Sequence, residues 1–121
     1  MARTDAFNQT FENLQSQIAG WKSQHGRVYL VGLSGLNEPT TVRDIPFIFR
    51  HPGRSEISRM VRDASKDPIG AVSNLVLDIA LYPDRTTLGG LFEQLPGLPV
   101  ALQDGLKDKI GVGLDFSAQE L

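Results

Sequence analysis

The chain has 121 residues, of which 40% are apolar and 21% charged, and a formal net charge of −2. That length suits one compact domain with its own core, and the composition is that of a folded chain rather than a disordered one. The acidic balance argues against a dedicated nucleic-acid binder, and the absence of cysteine removes disulfides, thiolate metal sites and cysteine nucleophiles while fitting a reducing cytosol.

The N-terminal stretch MARTDAFNQT has no apolar segment of the kind a secretory signal needs, and no apolar run approaches a membrane span, so neither is expected. Phe7, Phe11, Leu14, Ile18 and Trp21 are spaced 4, 3, 4 and 3 apart, which predicts an amphipathic helix over residues 5–24 with a polar opposite face. This narrow, aromatic-rich stripe reads as core packing. His25 falls at the helix end, where a positive charge meets the negative pole of the helix dipole, and Gly26 suits the left-handed position that follows.

Residues 27–50 read as an antiparallel β-hairpin. Val28, Tyr29, Leu30 and Val31 are strand formers. Gly35, Asn37 and Pro39 mark a long turn. The second run, VRDIPFIFR, contains Pro46, which cannot donate to a ladder, so an edge strand or a bulge is expected. Two strands alone are marginal and must lie on helices or gain strands from another chain.

Beyond Gly53 the period turns helical. Ile57, Met60, Val61 and Ala64 give one apolar face over residues 54–65, with Gly53 as N-cap and Glu56 placed to complete it. Asp67-Pro68 starts the next helix, residues 68–81, whose Ile69, Val72, Leu75, Val76 and Ile79 make it the candidate central helix. Tyr82-Pro83-Asp84 ends it. Short helices are expected over residues 86–95 and 98–111, and the tail, residues 114–121, carries few structural signals and reads as mobile or ordered by a partner. The expected fold is therefore α+β, a single mostly helical domain over residues 1–121, with four to five helices and a small hairpin.

Chemistry-bearing patterns are sparse. The histidines, His25 and His51, have no metal-ligand spacing around them. Gly32-Leu33-Ser34-Gly35-Leu36 lacks the final glycine of a nucleophile elbow, and no phosphate-binding glycine motif occurs. Asp104 and Asp108, with Lys107 beside them, read as a solvated helix face. Asp78 sits in the most apolar helix and, if buried, needs a partner such as an arginine from residues 50–62. No cofactor and no catalytic set is expected. What remains is FIFRHPGRSEISRMV, residues 47–61, where Arg50, His51 and Arg54 crowd a strand-to-helix junction. Helix N-terminal amides attract anions, and arginine is enriched at protein interfaces. A solvated charge cluster is the simpler alternative.

The order WKSQHGRVYLVGL, FIFRHPGRSEISRMV, AVSNLVLDIALYPDR, LFEQLPGLPVALQDGL resembles a group of small tail-assembly proteins of tailed bacteriophages, the tail assembly chaperone-like proteins. The matching positions are Trp21, Gly26, Tyr29, Phe47, Phe49, Arg50, Pro52, Arg54, Glu56, Tyr82, Pro83, Asp84, Pro96 and Gly97, with Gly53 departing from the Ser or Thr of the pattern. The resemblance implies a non-enzymatic morphogenesis protein that binds other tail proteins in the host cytoplasm during assembly, or a small component of the virion tail. It implies no small-molecule substrate, nucleic acid or membrane as partner, and leaves oligomer formation open. Phe49, Arg50, Arg54 and Glu56 are the candidate partner-binding residues. The alternative is a small adaptor or inhibitor that binds a cellular protein through the same basic edge.

Overall fold

The structure is a computed structural model that describes residues 4–32, 42 and 44–110. The expected turn at Gly35, Asn37 and Pro39, the glycines at 111 and 113, and the tail over residues 114–121 lie outside the described residues. The elements run α1 (Asp5–Asn13), α2 (Gln15–His25), β1 (Val28–Val31), β2 (Phe47–Arg50), α3 (Arg54–Ala64), α4 (Pro68–Ile79), β3 (Ala80–Tyr82), α5 (Arg85–Gln94) and α6 (Leu98–Ile110). The fold is α+β: a small domain, mostly helical, around a three-stranded antiparallel sheet of order β1-β2-β3.

Six described helices stand where four or five were expected. The difference is at the N-terminus, where the stripe from Phe7 to Trp21 runs through a break at Leu14 (φ −91°, ψ 0°). The apolar spacing continues across this residue, so periodicity cannot register the interruption. Thr4 caps α1 by accepting from the Phe7 N–H, and its own hydroxyl donates to Asp44 at 2.7 Å.

The sheet corrects the hairpin reading twice. Pro46 precedes the strand, so it removes no ladder bond, and β2 is central rather than an edge. The register irregularity falls instead between Ile48 and Phe49, on the β3 side. The second correction is β3 itself. Residues 80–82 continue the apolar run of α4 with no turn residue between, so they read as the last turn of a helix. In the fold Ala80 is already extended (φ −70°, ψ 130°). The third strand thus comes from the same chain.

Alternation along β1 and β2 separates two apolar layers. Tyr29, Val31, Phe47 and Phe49 face the core built by α3 to α6, where Leu75, Val76, Ile79, Leu88, Leu102 and Leu106 are buried. Val28, Leu30 and Ile48 face α1 and α2, against Leu14 and Ile18. β2 is therefore buried on both sides, and its Phe-Ile-Phe run is the hydrophobic axis of the domain. Each such side chain contributes roughly 1.5–3 kcal/mol on burial. Asp67 caps α4 as expected, accepting the Gly70 N–H at 3.0 Å, with Pro68 in the first turn. Two expected core positions are solvent-facing: Val61 is 58% and Ile69 59% exposed.

Candidate functional site

The junction between β2 and α3 is held by an ion-pair cluster. Glu56 reaches back to accept the Gly53 N–H at 2.8 Å, half of a capping box, since glycine has no side chain to return the bond. The same carboxylate takes a two-pronged contact from Arg50, at 2.9 Å from Nη1 and 2.5 Å from Nη2, and Arg50 also donates to the Asp78 carbonyl oxygen at 3.2 Å. Both charged groups are about three-quarters covered, with side-chain exposures of 25% and 21%. The hydrogen bond from Arg50 is the main cause that holds the Glu56 carboxyl below its ordinary range; partial burial opposes it. The reciprocal bond raises Arg50.

Asp78 is partly rather than fully buried, with its side chain 21% exposed, and it does have an arginine partner from residues 50–62. Its carboxylate pairs with Arg59 of α3 and, at 2.6 Å, with Arg85 of α5. One carboxylate thus serves two guanidiniums and ties three helices together at the end of α4.

This geometry redistributes the expected partner-binding residues. Phe49 is fully buried and cannot reach a partner in this fold. Arg50 and Glu56 are engaged with each other, so their charges are internally neutralised. Arg54 alone of the four is exposed. It begins a row on the outer face of α3 with Ser55, Ser58, Arg59 and Arg62, which with Glu56 line an open depression of about 680 Å³. All of these residues belong to one helix, so the depression has no opposing wall. Arg62 has only a loose contact with Asp63, at 3.5 Å and largely exposed. Val61 lies in the same row, three residues beyond Ser58 and seven beyond Arg54. Arg59 and Arg62 belong to the basic crowding of this stretch in the sequence but were not among the expected partner-binding residues, and Val61 was expected on the apolar face; the spacing of Arg54, Ser58 and Arg62 by four was the available signal.

His51 belongs to a different contact. Its Nδ1 is 2.6 Å from the Tyr29 hydroxyl, with the rings edge-on at 5.9 Å between centroids. The Tyr29 hydroxyl also lies 3.5 Å from the Lys109 carbonyl oxygen, so this pair fastens β1 and the end of β2 to α6. Among the described residues no three His, Cys, Asp or Glu side chains converge as metal ligands, and no helix is long and apolar enough to cross a membrane. Asp104 pairs with Lys107 at 3.3 Å; the side chain of Asp108 lies outside the described residues.

Comparison with curated proteins finds no match. Among solved structures, the chain is similar to the uncharacterised protein rbstp2171 from Bacillus stearothermophilus. The two are 24% identical, with a TM-score of 0.64, over 84% of this chain and 99% of that one. At that identity the likeness concerns the fold alone. A family model described as a domain of unknown function, DUF6848, matches residues 21–119. That span takes in the last turn of α2, the whole sheet and every later helix, and the chain belongs to the DUF6848 family.

Proposed function

We propose that the chain is a non-enzymatic protein-binding module that docks an acidic partner surface on the outer face of α3. The observation that carries this reading is the row Arg54, Ser58, Val61 and Arg62 on an exposed helix with no opposing wall. A wall-less surface suits a macromolecule better than an enclosed small substrate. Arginine beside an exposed apolar side chain is the composition of a protein interface. Because Asp78 is shared by Arg59 and Arg85, the cluster keeps an excess of positive charge in a chain whose net charge is −2.

The resemblance to phage tail-assembly proteins supplies the partner class to try first: other tail proteins, met in the host cytoplasm or retained in the virion tail. A cellular partner bound by an adaptor or inhibitor would use the same face. Pull-down with the full chain, against co-expressed tail proteins and against host lysate, separates the two. Arg54→Glu with Arg62→Glu is expected to weaken capture by at least about tenfold with an unchanged circular dichroism spectrum. Capture that survives the double reversal would exclude this face.

A further inference from the structure

The two edges of the sheet are unequal. β3 has three residues, follows α4 without a loop, contains the register irregularity and is followed by Pro83. Each of these features blunts an edge. β1 has none of them. It is a four-residue strand, Val-Tyr-Leu-Val, with a regular register against β2.

The register shows which groups β1 leaves outward. Val28 faces Arg50 and Leu30 faces Ile48, while the His51 N–H donates to the Arg27 carbonyl oxygen at 3.1 Å. In an antiparallel pair, bonded and non-bonded residues alternate. Tyr29 and Val31 therefore turn their main-chain groups toward β2, as does the Arg27 carbonyl, while the Arg27 N–H donates to the His25 carbonyl oxygen at 3.1 Å. Val28 and Leu30 turn theirs away from the sheet, where they find no partner among the described residues.

Beside this edge lies a small groove of about 160 Å³ between α1–α2 and the sheet, bordered by Phe11, Ile18, Lys22, Val28, Leu30 and Ile48. Small-molecule pockets are typically about 300–1,000 Å³, so this space fits a side chain rather than a free ligand. Its charged border is basic. Lys22 lines it and Arg27 precedes the strand, both exposed, and neither has an ion-pair partner among the described residues.

We infer that β1 is a strand-addition site that takes an extended, acidic-flanked apolar segment of a partner protein. Main-chain bonds form to Val28 and Leu30. One apolar side chain enters the groove beneath the Phe11–Ile18 stripe, and a flanking carboxylate meets Lys22 or Arg27. This mode draws affinity from the backbone and selectivity from alternate side chains. It is independent of the α3 face, and either can stand without the other.

The test uses the full chain and a blocked peptide, Asp-Val-Thr-Leu-Thr-Val-Glu, followed by the fluorescence of Trp21, the single tryptophan, and by amide exchange at Val28 and Leu30. Leu30→Pro removes an outward N–H without removing a bond to β2, since proline is tolerated on an edge. Lys22→Glu is a second variant, at an exposed helix position where folding is not at stake. Peptide binding should slow exchange at Val28 and Leu30, weaken about tenfold in Leu30→Pro, and weaken in Lys22→Glu. Equal binding by both variants overturns the proposal. So does slow exchange at both amides in the peptide-free chain. If that protection rises with protein concentration and a doubled mass appears, a second copy holds the edge; if it vanishes on truncation after residue 110, the chain's own C-terminal segment does.

Discussion

At the scale of single residues, the charges near Arg50 divide into structural and surface groups, and acid should tell them apart. Glu56 is held below its usual range, first by the Arg50 hydrogen bond and further by the Gly53 N–H. A carboxylate with a depressed folded value contributes stability that is fully present above its unfolded value, ordinarily 4.5. That stability is lost as pH falls through the folded one. Arg50, raised, stays charged throughout and adds no pH dependence there. Glu56→Gln is therefore expected to cost about 1–3 kcal/mol at pH 7, and much less at pH 3, in urea melts at the two pH values. Asp78→Asn loses two pairs whose arginines are 47% and 60% exposed, so its cost should stay near about 1 kcal/mol. Gln103 offers the opposite case. It is 1% exposed, and among the described residues neither its amide nitrogen nor its oxygen has a hydrogen-bond partner. Replacing a buried, unpaired amide by an apolar group of similar shape removes a desolvation penalty. Gln103→Met should raise stability by about 1–3 kcal/mol, seen as a Tm higher by several degrees; a lower Tm would show that the amide is satisfied in solution.

At the scale of elements, most starts and stops were legible because they depend on local chemistry. Asp67-Pro68 opens α4 and Glu56 reaches the Gly53 amide, as their spacing implies. Asp78, a carboxylate in the most apolar helix, pointed to an arginine partner on the condition of burial, and Arg59 meets it although burial is partial. What escaped was set by tertiary contact. The break at Leu14 lies inside an unbroken apolar stripe, and β3 lies inside an unbroken apolar run. Phe49 was misjudged because alternation marks one face as buried but cannot show that a third strand and two helical layers close both faces of β2. The glycines of the helices give a paired prediction. At Gly90 a β-carbon would meet no atom of the described residues within 4 Å beyond its chain neighbours and the backbone of its own helix, so Gly90→Ala should stabilise α5 by about 0.5–1 kcal/mol. At Gly70 the same carbon would stand 2.1 Å from an Asp67 carboxylate oxygen. The cap must then move, and its loss, about 1 kcal/mol, cancels the gain. Thermal melts of the two variants should therefore differ, with only Gly90→Ala above the parent.

At the scale of the molecule, the two layers are unequal. Among the described residues, fourteen buried residues form the cluster on the α3–α6 side, against three in the cluster on the α1–α2 side. Residues with few buried contacts open at lower free energy. Native-state hydrogen exchange should find α2 exchanging through a partial opening while α4 exchanges only with global unfolding. Equal protection in both would contradict a two-tier stability. The family match begins at Trp21, so the thinner layer is also the one that lies mostly outside the shared unit.

The direct passage from Ile79 into Ala80 has a mechanical side. A loop between a helix and a strand acts as a universal joint; here there is none. Rotation of α4 is carried as twist into β3 and, through the ladder, into β2, while Asp78 clamps Arg59 and Arg85 at that splice. Helix and sheet form one lever, and under a pulling force they should give way in a single step rather than peel apart.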